Sequence, residues 1–492
     1  MEKDGAGIFK KVILVFLLII FSFYKCTNDD IEVDPVLTAI SPTSKAINMP
    51  GFSLRATGIG FNENSRIYFN GIGKETVFVN ETELTCIISS EDIRSDSGID
   101  RSLLEDQEVS NSIPVVVSND GRFLSENLLF SVRKNNSFNI SMSITDSNFV
   151  SSNPSIAIDE NDHIFIVYER HDSDNEHHVS IITSDDRGED WSQPVNIITS
   201  NEKIANPAIT TNGSGNIYVT FYNKGLFFSS SSDSGQTWST PKRLSFKISS
   251  PIESKIEVDT EGSLNILWLI SSYSKDTSVY FQRSGDGGLT FSTALNISSE
   301  TGNFSSVYNP AFVINGNYIY AAWGSWPLWD SRYGYVYFNS SKNLGQTWSN
   351  VDGSFGISSS PDFSTGINNE VYITLSDIYF PSENQIVFFR SPGESVNWGS
   401  RIKITSNSND TYPIIKTDMV GNINIIYKNS SGCYYVRSIN GGDAWTDPLF
   451  VTDKISFIYR KKLIDMAIDK SGNMYIVSEF DSSGVLYLTK SY

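Results

Sequence analysis

Two short stretches hold most of the residue types that could do chemistry. ERHDSDNEHH, from Glu169 to His178, packs three of the four histidines of the chain among carboxylates. Imidazole and carboxylate together can ligate a metal, but this spacing matches no zinc or EF-hand pattern. The stretch therefore reads as a solvated polar loop, and no metal and no cofactor is expected. WGSWPLWDSRYGY, from Trp323 to Tyr335, sets Trp326, Trp329, Tyr333 and Tyr335 beside Asp330 and Arg332. Trp323 reads as core. Aromatics crowded into a Pro-containing loop can stack on sugar faces or anchor a protein partner. The competing reading is a loop folded over its own hydrophobic plug.

The composition narrows what could position these loops. Of 492 residues, 39% are hydrophobic and 13% aromatic, with Ser, Asn, Thr and Gly abundant between apolar runs. That is the chemistry of strands and turns. The formal net charge of −19 opposes phosphate backbones and anionic lipid, so no nucleic-acid partner is expected. Cys86 and Cys433 lie far apart and read as two small apolar fillers, not a disulfide.

From about residue 137 to the end the chain is periodic. NPSIAIDENDHIFIVYE, NPAITTNGSGNIYVTFY and five further relatives begin near Pro154, Pro207, Ser254, Pro310, Pro361, Pro413 and Ile464. Intervals of 47–56 residues point to a propeller or a solenoid. Each repeat reads as four antiparallel strands, the blade of a β-propeller. Between the third and fourth strands recurs one phrase: SDDRGEDWS from Ser184, SSDSGQTWS from Ser231, SGDGGLTFS from Ser284, SKNLGQTWS from Ser341 and SINGGDAWT from Ser438. Ser391 to Trp398 is a worn sixth copy. Short Ser and Asp side chains can satisfy turn donors, Gly supplies positive φ, and Trp packs beneath the hairpin.

These phrases resemble the Asp-box of bacterial sialidases and related propellers. The resemblance implies an all-β, seven-bladed propeller over 137–492, with the boxes on the face away from substrate. The seventh repeat ends where its fourth strand is due, so the N-terminal strand around SFNIS, 137–141, is expected to complete it. Upstream, residues 34–133 alternate short strands with Gly, Asn and Pro turns. The order AISPTS, GIGF, RIYFNG, LTCIIS, VVVSNDG and LLFSV resembles the TIG type of immunoglobulin-like sandwich, with 94–110 as an inserted loop.

In sialidases three arginines clamp a carboxylate beside a Tyr nucleophile, its Glu partner and an acid Asp. YERHDSD before an Asp-box is similar to the stretch carrying one such arginine and the acid, which implies roles for Arg170 and for Asp172 or Asp174. The arginine motif of the first opening strand is missing, since Asn153-Pro154-Ser155-Ile156 stands there. Arg283, Arg390 and Arg437 precede Asp-boxes, on the wrong face. The best remaining triad is Arg170, Arg332 and Arg460. The expectation is thus a binding protein for a glycan or a surface protein, with catalytic residues unassigned. A glycoside hydrolase of exo-sialidase type is the alternative, and a passive scaffold the third reading.

Location can also be read from the N-terminus. Lys3, Lys10 and Lys11 precede the apolar run Val12 to Phe23, shorter than the about 20 residues a membrane helix needs. That is the pattern of an export signal over 1–26. Cys26 resembles the lipidation site of bacterial lipoproteins, and an uncleaved anchor is the alternative. The expectation is an exported, lipid-anchored protein of the cell envelope or outer surface, touching membrane through this segment alone.

Overall fold

The structure is a computed structural model. It describes residues 34–491 except 43, 47–50, 94–110, 120–122, 134–137, 139–140, 147–148, 172–175, 246–252, 271–276, 299–303, 328–333, 350, 352–354, 380–382, 394–396, 406–408, 456–462 and 481–483. Among the described residues the chain is all-β, with one short 3-10 turn at Ser90–Ile93 and no α-helix.

The N-terminal unit is a sandwich of two sheets. One orders Val36–Ser41, Phe52–Ile59, Glu83–Ile88 and Thr76–Asn80; the other centres on Leu128–Arg133, Asn111–Asn119 and Ser65–Phe69. Strict alternation in Phe52–Ile59 sends Phe52, Leu54 and Ala56 inward. There Phe52 stacks on Phe130 with ring centroids 5.2 Å apart, and Phe69 meets Phe130 edge-on. Cys86 is a free thiol in this core, and Cys433 is equally free and buried elsewhere.

Seven consecutive sheets follow. We number them one to seven from their first strands: Val150–Ile158, Ala205–Thr211, Glu253–Val258, Phe304–Asn315, Ser358–Thr365, Thr411–Thr417 and Ile464–Ile468. The second strands, such as Ile217–Tyr222 and Leu264–Ile270, are buried along their whole length, which explains their unbroken apolar runs. Each first strand packs beside the first strand of the next sheet, and that of sheet seven lies against that of sheet one. Sheet seven contains Ile464–Ile468, Met474–Phe480 and Val485–Lys490, with Met142–Ser143 paired antiparallel on its outer edge. The Ile144 amide extends that pairing by donating to Leu486 O at 2.9 Å. Sheet four has three strands among the described residues.

Five first strands carry the same irregularity. Asn153, Asn206, Asn309, Ser360 and Tyr412 all adopt positive φ of 49–53°, and each precedes a proline. The ladder to the second strand slips at each of these points. Proline has no amide to give a ladder, so the strand bulges around it. Sheets three and seven have no proline there, and their ladders run without a slip.

The Asp-boxes are structural turns. Ser231 Oγ accepts the Gly235 amide at 2.9 Å, and Asp233 Oδ1 accepts the Thr237 amide at 2.9 Å. Trp238 Nε1 donates to Gly235 O, and Trp348 and Trp445 repeat that bond in their own boxes. Gly235 sits at φ 89°, a region a side chain disfavours. Hydrogen bonds from Thr237 and Ser231 hold the Asp233 carboxyl down to about 2. The boxes share a face with the turns between first and second strands, since Ser234 N donates to Gly215 O. The sandwich is joined to this face. Arg187 of the first box bonds Ser41 Oγ at 3.2 Å, and Ser53 N donates to Lys470 O at 3.1 Å.

Where the first strands converge, small residues such as Ala157, Thr210, Ala311 and Ala467 leave an axial cavity of about 390 Å³. Lys255, Glu257, Asp362, Lys416 and Asp465 also line it. Burial pushes the Glu257 carboxyl up to about 7, with Asp362 adding to the rise and Lys416 and Lys255 opposing it.

Two predictions follow from these contacts. Trp238 is only partly buried, so Trp238→Ala should cost about 2–3 kcal/mol in denaturant unfolding, below the full cost of a buried aromatic. It should leave the opposite face unaltered. For Glu257, the folded chain keeps a proton that the unfolded chain releases above its ordinary value of 4.5. Its contribution is present at low pH and is lost as pH rises through about 7. Glu257→Gln should remove that decline and exceed wild type at pH 8 by about 2 kcal/mol, allowing for solvent in the cavity. Parallel melting curves from pH 5 to 8 for both proteins would refute it.

Candidate functional site

On the face opposite the Asp-boxes the axial cavity opens through a mouth. Its rim carries the bulge residues Asn153, Asn206, Asn309, Ser360 and Tyr412 with their prolines, together with Glu253, Lys255, Asp362 and Asp465. A positive-φ residue turns its amide out of the ladder, and that donor needs another acceptor. Side chains supply it. Glu479 Oε2 takes the Asn153 amide at 2.9 Å, Glu169 Oε1 the Asn206 amide at 2.7 Å, and Glu253 Oε2 the Asn309 amide at 2.8 Å. Ser376 Oγ takes the Tyr412 amide at 3.1 Å.

Three of these acceptors occupy one repeated position, the second-strand residue paired with, or standing in register with, the residue just before the bulge. Around the ring that position reads Glu169, Tyr222, Leu269, Gly324, Ser376, Lys428 and Glu479. Consecutive sheets six, seven and one thus place Lys428, Glu479 and Glu169 in a charged arc. Asn153 links its members, giving its amide to Glu479 and its side-chain Nδ2 to Glu169. The Lys428 Nζ lies 4.5 Å from the centre of the Tyr412 ring. Burial pulls the Lys428 ammonium down to about 8, against the opposing pull of the Glu479 carboxylate. Burial alone is the first cause raising Glu253, against the Asn309 amide.

Sheet four differs. At Gly324 there is no side chain, and the Tyr308 ring from the neighbouring strand lies in the space; a methyl on Gly324 would collide with its ring. Gly334 is equally close to the Tyr308 hydroxyl. Tyr308 is partly exposed beside the rim residue Asn309, and Trp326 stands half-buried further along the same strand pair. Behind the rim, sheets six, seven and one thus carry a hydrogen-bonding arc, while in sheet four the Tyr308 ring lies over Gly324 toward Gly334.

Of the residues singled out from sequence, Arg170 and Trp326 are described. Arg170 stands one residue before the end of the second strand of sheet one, opposite His178, with its guanidinium 3.6 Å from the centre of the Phe149 ring. Trp326 pairs with Ser306 in sheet four. Asp172, Asp174, Trp329, Asp330, Arg332, Arg460 and Cys26 lie outside the described residues. Arg283 and Arg390 bind carboxylates at the Asp-box end, Asp259 and Asp443 respectively. Sequence reasoning missed Tyr308, Glu169, Lys428 and Glu479. The usable signal was a repeated strand position whose residue changes from repeat to repeat.

Comparison with known proteins adds the following. No curated protein matches the sequence. Among solved structures, an ulvan lyase of a new polysaccharide lyase family, bound to -[GlcA(1-4)Rha3S]-, aligns at 13% identity and TM-score 0.50, covering 71% of this chain and 95% of its own. An α-L-arabinanase from Penicillium chrysogenum complexed with arabinobiose aligns at 11% identity, 72% and 98% coverage, and TM-score 0.45. A Hadza microbial sialidase aligns at 10% identity, 94% of each chain and TM-score 0.42. At 13% identity the likeness to the ulvan lyase is one of fold alone. Two family models match directly: residues 35–132 are an IPT/TIG domain, and residues 162–373 carry a BNR repeat-like domain.

Proposed function

We propose that the seven sheets are the blades of one closed β-propeller whose mouth binds a glycan. The strand Met142–Ser143 completes the seventh blade in this reading. The observation that carries it is the arc of Glu169, Glu479 and Lys428 held against the rim residues Asn153, Asn206 and Tyr412, with Tyr308 laid over Gly324 beside the rim residue Asn309. A sugar has an apolar face of C–H groups and a rim of hydroxyls. An aromatic wall serves the first, and carboxylate and ammonium groups serve the second. Solved neighbours bound to arabinobiose and to an ulvan oligosaccharide are in keeping with such a ligand.

A hydrolytic reading has one specific support, the pair Glu169 and Glu479 joined through Asn153. Each carboxylate also holds a backbone amide of the next sheet, so binding without turnover is the stronger reading.

Surface display is part of the same proposal. Ser41 and Ser53 touch the Asp-box face, while Val36 and Ile59 pair at the other end of their strands. The chain therefore enters the sandwich at the pole away from the propeller. An N-terminal attachment, through lipid on Cys26 or an uncleaved segment, would present the mouth outward. Loss of membrane association in Cys26→Ser would support the lipid; retention would favour the apolar segment.

A glycan array with the full chain tests binding. Tyr308→Ala should weaken the best ligand by about 2 kcal/mol, Tyr308→Phe by much less, and Gly324→Ala should act like Tyr308→Ala by displacing the ring. If all three bind as wild type does, the mouth is not the site. A fluorogenic glycoside panel including a sialoside tests turnover, which Glu479→Gln would abolish only if the hydrolytic reading holds. Closure is tested by Ile144→Pro, which deletes the donor to Leu486 O and should lower the melting temperature and promote aggregation. Ile144→Val should do neither.

A further inference from the structure

The three histidines of sheet one were set aside because their spacing along the chain fits no metal motif. The hairpin changes their neighbourhood. His171 closes the second strand and His177 opens the third, and the two are direct cross-strand partners. Cross-strand partners project to the same side of a sheet, so chain spacing no longer measures their separation. The ring centroids are 4.4 Å apart and the rings stand at 84° to each other. The Nδ1 of His177 is shielded from solvent and has no hydrogen-bond partner among the described residues.

The remaining histidines are committed elsewhere. His178 pairs with Arg170 and so projects to the other side of the sheet. Its Nδ1 contacts Thr199 Oγ1 at 2.8 Å and Asn196 Nδ2 at 3.3 Å. His163 sits at the Asp-box end, 3.0 Å from Asp159 Oδ2.

We infer that His171 and His177 form a two-imidazole site for a divalent transition metal, where the second strand of sheet one ends and the third begins. Imidazole nitrogen suits zinc, copper and nickel, whereas calcium and magnesium need oxygen ligands. Among the described residues no third His, Cys, Asp or Glu joins the pair. A two-imidazole pair differs from the closed four-ligand set of a structural zinc. The inference is independent of the glycan reading, since neither histidine lines the mouth.

The test uses the full chain, stripped with chelator and titrated with Cu2+, followed by Zn2+ and Ni2+ in competition. The expected result is one saturable equivalent whose electron paramagnetic resonance spectrum shows two nitrogen ligands. His171→Ala and His177→Ala should each weaken binding by more than about 100-fold, beyond the cost of losing an outer-sphere partner. Each should also cancel the rise in melting temperature that zinc gives wild type. His178→Ala and His163→Ala should bind as wild type, and circular dichroism of the metal-free variants checks that each is folded. No saturable binding would overturn the inference and leave the histidines as an edge-to-face packing pair. So would binding that persists in both His171→Ala and His177→Ala, because the ligands would then lie elsewhere.

Discussion

Among the described residues no strand ladder joins one sheet of the repeat region to the next. Between sheets pass side-chain packing, a few backbone bonds such as Ser151 N to Gly484 O, side-chain bonds such as Thr220 to Ser254, and a set of hydrogen bonds from backbone amides to side-chain acceptors. The amides of Asn153, Asn206, Asn309 and Tyr412, freed by the proline bulges, each bond to a side chain of the preceding sheet. Lower on the strands, Asp465 takes the Ile156 amide, Asp362 the Ile415 amide and Ser364 the Thr417 amide. A buried amide without a partner costs about 1–3 kcal/mol, so these acceptors fix the sequence at positions far from any ligand. The arrangement also places carboxylates on the rim of the axis, where a ligand would meet them.

The two faces of the repeat region divide the work. The Asp-box face is built from turns whose side chains are spent on their own backbone, as in Ser231 and Asp233, and it receives the sandwich. Nothing in those turns is left to recognise a ligand. The other face carries strand ends that differ from repeat to repeat, while the sandwich bonds to Arg187 and Lys470 at the Asp-box end.

Much of the fold was legible in the sequence because repetition multiplies a weak signal. One SSDSGQTWS would be a turn of unknown purpose; five at regular intervals reveal a strand-turn-strand unit and its period. The TIG-type sandwich was readable for a related reason, since its turns and alternating strands fall in a recognisable order. The site was far less legible. Attention went to the loops rich in histidine and tryptophan, whereas the mouth is made by residues inside strands. Glu169 was in view as part of a loop, but its bond to the Asn206 amide joins two repeats and has no trace in local spacing. Tyr308 reads as one more strand aromatic until Gly324 is found beneath it. The cross-strand meeting of His171 and His177 likewise depends on where the hairpin turns.

A repeat protein offers its own internal comparison, and it separates structural from functional residues without any relative. What the fold needs recurs across units, as with the proline bulges of five sheets or the serine that opens each box. What a single binding site needs must occur once. The second-strand position at the mouth changes from glutamate to tyrosine, leucine, glycine, serine, lysine and glutamate around the ring. Capping a bulge explains Glu169, Ser376 and Glu479. It does not explain Lys428, because an ammonium cannot accept an amide and sheet seven, which follows it, has no bulge. It does not explain Gly324 either, since a glycine caps nothing and costs conformational entropy in a strand. Under the proposed glycan reading Lys428 would add a donor to the acceptors Glu479 and Glu169, and Gly324 makes room for the Tyr308 ring.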